Sequence, residues 1–308
     1  MNYIVTGGAG FIGSNLTNRL LQEGHNVAVI DFSSETLENL SLNHPRLKIY
    51  NENICNNEEM KKIFNREKPK AVFHMAAQID VRKSVSNPGY DYQVNVEGSK
   101  NLISLAKEHK SKFIFSSSGG AIYDDKILCA SEQDFENPKS PYGFNKLNVD
   151  KFLQESGIDF VSLRYANVYG PRQNAKGEAG VIAIFFDSML NNRSPTINGN
   201  GLQTRDYVFV EDVVDANVLA LRKLPSGIYN IGTGIETNVN ELFDTINVNF
   251  FNGNFEKRYV PGKKGEQMRS SLNSDKIRNY GWKPKFTLGQ GLQKTYEWFM
   301  KNQISPFK

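Results

Sequence analysis

A tyrosine and a lysine four residues apart, in the stretch Tyr142-Gly143-Phe144-Asn145-Lys146, are the pair in this chain best suited to moving a proton. On the first turns of a helix that spacing sets the phenol and the ammonium on one face. A phenol with an ordinary pKa of about 10 is a poor base at neutral pH, and a fixed positive charge nearby favours its phenolate. Tyr and Lys also meet at this spacing by chance on many helices. The pair gains meaning only if other elements bring a cofactor and a substrate to it.

The first of those elements lies at the start of the chain. Asn2-Tyr3-Ile4-Val5-Thr6 is a short apolar run bounded by glycine, the pattern of a buried parallel strand. Gly7, Gly8, Gly10 and Gly13 follow, satisfying both G-x-x-G-x-x-G and G-x-G-x-x-G, and a helix with Ile12, Leu16 and Leu20 on one side closes at Gly24. Such a turn lets a phosphate approach bare backbone and sit on unpaired N–H groups at the positive end of the helix. The alternative is a tight strand–helix turn that needs glycine for packing alone. A second strand, Val27-Ala28-Val29-Ile30, ends on Asp31, and an acid at about 20 residues past the glycines hydrogen-bonds the adenosine ribose. This favours a dinucleotide. Asp31 repels a 2′-phosphate and Phe32, Ser33 and Ser34 include no Arg, so NAD is expected rather than NADP.

The alternation of strand and helix continues, giving an α/β fold with a doubly wound parallel sheet. Residues 47–50 read as a third strand, 58–64 as a helix, and Ala71-Val72-Phe73-His74 as a fourth strand running into Met75-Ala76-Ala77-Gln78, where small residues let a flat cofactor lie close. His74 invites a general-base reading, but a histidine closing a buried strand more often packs and hydrogen-bonds locally. A helix with Val94, Leu102 and Leu105 toward the core precedes Lys112-Phe113-Ile114-Phe115, which opens into Ser116-Ser117-Ser118-Gly119-Gly120. Hydroxyls at a strand's end bond a substrate oxygen or merely cap a turn.

After Gly170 the pattern changes. Residues 171–178 are polar, 181–190 form an amphipathic helix, and 195–201 are rich in turn formers. The chain is expected to return to the first lobe through Tyr207-Val208-Phe209-Val210, a helix over 213–221 and a strand over 227–231, and to leave it from Thr237. Residues 1–169 plus 206–234 are therefore expected to bind the dinucleotide, with 170–205 plus 235–308 as an interleaved substrate lobe. Phe243, Phe250, Phe251, Trp298 and Phe299 read as core residues, and 288–301 as an amphipathic helix.

Composition narrows the partners. The 308 residues are 39% apolar, and the net charge of +4 is spread among acidic residues without a basic run, which argues against nucleic acid. No apolar run nears the ~20 residues of a membrane span. Cys55 and Cys129 have neither the number nor the spacing of a disulfide framework or a zinc site, so no metal is expected. The N-terminus enters a strand at once, without the basic and apolar regions of a signal peptide, and a cytoplasmic location is expected.

Taken together, the motifs resemble the extended short-chain dehydrogenase/reductase family, and more narrowly its sugar-nucleotide 4-epimerases similar to UDP-glucose 4-epimerase. The resemblance rests on Thr6-Gly7-Gly8-Ala9-Gly10-Phe11-Ile12-Gly13-Ser14, His74-Met75-Ala76-Ala77-Gln78, Ser116 to Tyr123, Ser140-Pro141-Tyr142-Gly143, Leu163 to Gln173, Arg205-Asp206-Tyr207-Val208 and Tyr229 to Gly234. It implies a Rossmann domain with a smaller α/β substrate-binding lobe. It implies Tyr142 as the base at the sugar 4-hydroxyl, Lys146 as the residue that holds the nicotinamide ribose and lowers the tyrosine pKa, and Ser118 as the hydroxyl on the same oxygen, with Ser117 as the alternative. Implied NAD positions are Gly7, Gly10, Phe11, Ile12, Gly13, Asp31, Asn53, Ile54, Ala76, Ala77, Gln78, Asn95, Ser116 and Tyr165, besides Tyr142 and Lys146. Asn53 stands where the family usually has Asp. For the UDP of a UDP-sugar substrate the implied positions are Asn167, Arg205 and Lys263, and a guanidinium such as Arg205 grips phosphate oxygens through two donors.

The reaction type follows from a missing group. Related dehydratases and decarboxylating synthases need a carboxylate just after the strand's catalytic hydroxyl, and here Ser118 is followed by Gly119 and Gly120. An epimerase needs only reversible hydride removal, a 4-keto sugar able to turn over, and hydride return, with one Tyr acting as base and then acid. Another enzyme of the superfamily, a reductase or dehydratase acting on a nucleotide sugar, is the second reading, and a non-catalytic NAD-binding regulator the third. Ser270 falls where some epimerases carry a bulky tyrosine beside the sugar C2 substituent. A serine there leaves room for an N-acetyl group, unless it is an ordinary loop residue. Family habit further implies a homodimer built on the helices after Asn95 and Tyr142.

Overall fold

The structure, a computed structural model, describes residues 1–32, 34–175, 180–262 and 267–303. Its strands among these residues are β1 (Asn2–Thr6), β2 (Asn26–Asp31), β3 (Leu47–Asn51), β4 (Ala71–His74), β5 (Lys112–Ser118), β6 (Phe160–Tyr165), β7 (Asn167–Tyr169), β8 (Thr196–Asn198), β9 (Thr204–Phe209), β10 (Gly227–Ile231), β11 (Glu236–Asn238) and β12 (Arg258–Val260). Seven of them form one parallel sheet in the order β10-β6-β5-β4-β1-β2-β3. The order reverses between β1 and β4, and the carboxyl ends on either side of such a switch point frame a ligand crevice.

Helices cover both faces, which is why β1 and β4 are largely apolar runs rather than alternating ones. Phe11–Gln22 and Val210–Arg222 pack on one face through Leu16, Leu20, Val213 and Val214. Asn57–Glu67, Gly98–Glu108 and Pro141–Ser156 cover the other through Met60, Phe64, Leu102, Val149 and Leu153. Between Pro88 and Glu108 the chain stays helical but widens into a π turn over Gln93–Glu97.

A second core lies beyond the carboxyl edge of the sheet. There Val181–Leu190, Val239–Phe251 and Leu288–Gln303 enclose Phe185, Phe186, Phe243 and Phe299, with Phe250, Phe251 and Trp298 packed against them. These aromatics are core residues, as their spacing suggests. None of the described helices is long and apolar enough to cross a membrane.

One strand departs from expectation. β10 does rejoin the large sheet beside β6, but β9 does not: it lies between β7 and β11 in a three-stranded sheet. The reason is visible at Asp206 on β9. Its buried carboxylate accepts hydrogen bonds from the Thr233, Gly234 and Leu272 backbone amides at 2.9, 3.0 and 3.2 Å and from the Thr233 hydroxyl at 2.6 Å. That ties β9 to the segments leaving β10, whereas the helix that follows it, Val210–Arg222, packs on the large sheet.

Candidate active site

The glycine turn joins β1 to Phe11–Gln22 in a space that side chains cannot enter. Gly7 has φ +64°, and a Cβ on Gly13 would lie 2.0 Å from the Gly7 carbonyl oxygen. The Ala9 amide donates to the Asp31 carboxylate at 2.9 Å, fixing the turn against the end of β2. Gly13→Ala is expected to push the helix away from the turn at a cost of about 1–3 kcal/mol. NAD titrations by fluorescence should then read at least a tenfold weaker affinity, and unchanged binding would remove the turn from the cofactor site.

A cavity of about 570 Å³ opens above this turn at the switch point. Gly7, Gly10, Phe11, Ile12 and Gly13 wall it from below, Asp31, Asn53 and Ile54 from the ends of β2 and β3, and Ala76, Ala77 and Gln78 from the end of β4. Ser116, Ser117 and Ser118 of β5, Tyr142, Lys146 and Tyr165 complete it. Phe32, Thr36, Tyr90 and Val94 also line it and were not foreseen. The first two follow β2, where any residue just past a carboxyl end was a candidate, but the Tyr90–Val94 wall depends on how one helix packs across the sheet.

Asn95 meets the loop after β4. It is absent from the cavity wall and buried, with its carbonyl accepting from the Gln78 amide at 2.9 Å and its NH₂ donating to the Gln78 carbonyl and to Asp91 Oδ1 at 2.9 and 3.1 Å. These bonds shape the loop after β4 and, among the described residues, leave one lone pair of the Asn95 side-chain carbonyl oxygen open.

The Tyr142–Lys146 pair sits at the start of Pro141–Ser156. Ser140 caps this helix by accepting from the Gly143 amide at 3.2 Å, Pro141 occupies its first position, and Gly157 ends it at φ +68°. Ser118 stands beside the Tyr142 hydroxyl on the cavity wall, close enough to favour its phenolate. Lys146 Nζ donates to the Ser116 carbonyl at 2.8 Å and lies 5.8 Å from the centre of the Tyr142 ring. Alternation along β5 turns Ser117 the other way, where its hydroxyl donates to Asp150 Oδ2 at 3.1 Å. The Ser117 hydroxyl, the alternative for the substrate contact, is thus engaged behind the strand.

The electrostatics differ from the simple expectation that Lys146 lowers the Tyr142 pKa. Burial pushes the phenol up to about 12, with the nearby Asp91 carboxylate adding to the rise and the Ser118 hydroxyl opposing it. Burial also pulls the Lys146 ammonium down to about 8, and Asp150 and Asp91 hold it from falling further. Desolvation outweighs pair attraction here because both groups stand at the inner wall of the cavity, where protein replaces most of their water.

Behind β5 lies a polar core. Asp150 accepts from Arg164 Nε at 2.8 Å, while the same guanidinium donates to Glu136 at 2.6 Å and to the Tyr123 hydroxyl at 2.8 Å. His74 is not a base. It is buried between Thr6 at 2.7 Å and Ser99 at 2.8 Å, and burial, helped by the charge on Lys146, takes its pKa down to about 3. Tyr165 receives a hydrogen bond from Asn217 at 2.9 Å, and burial raises its phenol as well.

A second cavity of about 260 Å³ shares Val168 with the first and is lined by Asn167, Gln203, Arg205 and Tyr207. Arg205 reaches the Thr204 carbonyl at 2.7 Å, and the buried Tyr207 hydroxyl has no hydrogen-bond partner among the described residues. Lys263 lies outside the described residues. Between the cavities, a Cβ on Gly120 would stand 3.6 Å from Asn167 Oδ1 and 3.7 Å from Ser270 Oγ, so these three positions converge. A Cβ on Gly119 would come within 2.4 Å of Leu272. No carboxylate can follow Ser118 without moving that core residue.

Residues 3–232 match the model of the NAD dependent epimerase/dehydratase family. The chain belongs to this family. Among solved structures it is similar to a UDP-glucose 4-epimerase from Thermotoga maritima determined with UDP-glucose, at 42% identity and TM-score 0.94, covering 98% of this chain and all of that one. It is similar to the Thermus thermophilus UDP-glucose 4-epimerase in complex with NAD, at 36% identity and TM-score 0.90 over 97% and 99% of the two chains. A UDP-N-acetylglucosamine 4-epimerase from Methanobrevibacter ruminantium, in complex with UDP-N-acetylmuramic acid, matches at 32% identity and TM-score 0.91 over 98% of each. The family's cofactor fits the residues present: glycines that leave backbone bare under the diphosphate, an acid at the end of β2 for a ribose, and small residues after β4 for a flat ring.

Proposed function

We propose that this protein is an NAD-dependent 4-epimerase of a UDP-sugar, acting on UDP-glucose and UDP-galactose and on their N-acetylated counterparts. The observation that carries this reading is the placement of Tyr142 and Ser118 together on the wall of the dinucleotide-shaped cavity, with glycines rather than an acid in the two positions after Ser118. Bound NAD supplies a hydride acceptor and a positively charged ring. Tyr142 takes the proton from the sugar 4-hydroxyl and gives it back to that same oxygen once the 4-keto sugar has turned over and C4 has regained its hydride on the other face, while Ser118 holds the oxygen. Lys146 keeps a positive charge beside that exchange and binds the nicotinamide ribose. Arg205 grips the diphosphate, with Asn167 and Lys263 completing the nucleotide site. Residues 1–169 plus 206–234 serve the cofactor and 170–205 plus 235–308 the substrate.

The test incubates the pure protein with UDP-glucose, UDP-galactose and their N-acetyl forms and resolves the products. Interconversion without added NADH is expected, and a requirement for stoichiometric NADH would instead make the enzyme a reductase. Ser270 supports the wider substrate range because it is small and converges with Asn167 and Gly120 on one point. Ser270→Tyr should lower kcat/KM on the acetylated pair by on the order of tenfold or more, through steric exclusion, and spare the hexose pair. Equal losses on both pairs would rule Ser270 out as a size filter.

The same reading includes a homodimer and a cytoplasmic setting. Phe144 is exposed on the helix that carries Tyr142, one of the two expected to pair, and both cysteines are free thiols. Sedimentation of the purified protein checks the dimer.

A further inference from the structure

Asp91 is fully buried, yet among the described residues no ammonium or guanidinium pairs with it. Its carboxylate is held by three side-chain amides. Oδ1 accepts from Gln78 Nε2 at 2.6 Å and Asn95 Nδ2 at 3.1 Å, and Oδ2 accepts from Asn145 Nδ2 at 2.7 Å. Each amide belongs to a different element: the cavity-lining loop after β4, the π turn, and the catalytic helix between Tyr142 and Lys146. We propose that Asp91 is a positioning residue of this site, locking the cofactor-facing loop to the catalytic helix and supplying the negative field in which Tyr142 and Lys146 sit.

The inference rests on the epimerase reading and adds a residue to it. A carboxylate suits this junction because it only accepts, and three NH₂ groups converge on it. Burial without an ion pair is costly, and the cost is justified where the charge acts on its neighbours. Other titratable groups around the pair are already committed. Asp150 on the same helix is paired with Arg164, and His74 on β4 is kept neutral by burial. Val81–Ser86 contributes Ser84, whose hydroxyl accepts the Tyr142 amide at 3.3 Å, and Lys83, which lies 4.6 Å over the Tyr90 ring. Asp91 therefore remains as the buried charge that both Tyr142 and Lys146 feel directly.

Its sign makes a specific forecast. A negative charge stabilises the protonated forms of both groups, so removing it lets each lose its proton at lower pH. Asp91→Asn keeps the shape and is accommodated when the Asn145 amide turns over. The rising limb of the pH–rate profile for UDP-galactose, and the pH at which it levels off, should then move lower by about one unit. Asp91→Ser, a second neutral variant, should show the same displacement if the first fails to fold, and Asp91→Glu should keep the limb in place even at reduced kcat. A loss of rate at every pH with an unmoved limb in the neutral variants would overturn the proposal. If the wild type converts no UDP-sugar, the epimerase reading is what fails. Asp91 is then decided by tyrosinate absorbance, taken as wild type minus Tyr142→Phe: a lower midpoint in the Asp91→Asn background supports it, and an unchanged midpoint overturns it.

Discussion

Tyr142→Phe should lower UDP-sugar turnover by on the order of 10²–10⁴, the usual effect of losing a positioned proton-transfer group. NAD affinity should hardly change, because the ring still fills its place beside Lys146 and Ser118. Steady-state kinetics and a NAD titration on the same preparation separate the two, and an unaffected rate would remove Tyr142 from the mechanism. The pH profile carries a further sign. Lys146 is charged below about 8 and neutral above, since burial lowers it from an ordinary value of 10.5. Because the phenolate of Tyr142 keeps growing up to about 12 while the Lys146 ammonium is lost above about 8, turnover of the wild type should rise with pH to about 8 and level off there. Stability should rise beyond that point: the unfolded chain still binds the lysine proton up to its ordinary value, so the penalty for burying the ammonium is relieved between about 8 and 10.5.

Arg164→Met should destabilise the protein by about 3–5 kcal/mol, because it leaves the Asp150 carboxylate buried without its cation. Arg164 is 0% exposed, and the serines at 117 and 162 cannot replace a charge. Desolvation already raises the Asp150 pKa, and removing the guanidinium raises it further. A carboxylate raised in the folded state binds a proton there more readily than in the unfolded chain. The variant's stability should therefore decline as pH rises above the ordinary carboxylate value, where the wild type keeps its ion pair. Urea unfolding at several pH values measures this. Adding Asp150→Asn to Arg164→Met should recover part of the loss, and no recovery would mean that packing around Arg164, not its charge, is what matters.

The catalytic helix shows how much of this was legible beforehand. Its cap, its start at Pro141 and its stop at Gly157 are local signals, and so is the glycine turn whose clashes leave no room for side chains. Strands β1, β2, β4 and β10 were equally readable, since buried parallel strands are continuous apolar runs. The placement of β9 was not, because the carboxylate that draws it from the large sheet is met by amides far along the chain. The bonds that tie Asn95 to Gln78 and Asp91 were equally hidden, because only packing brings these three residues together.

The doubly wound sheet, the dinucleotide turn, the Tyr142–Lys146 pair and the lack of an acid after Ser118 are thus settled by the order of residues, since each is written in near neighbours and their spacing. Folding had to decide which serine faces the phenol, which way the phenol and ammonium are shifted, and that Asp91 stands beneath them. Those outcomes depend on desolvation and on contacts between distant segments, and burial is a property of the folded surface that no local pattern encodes.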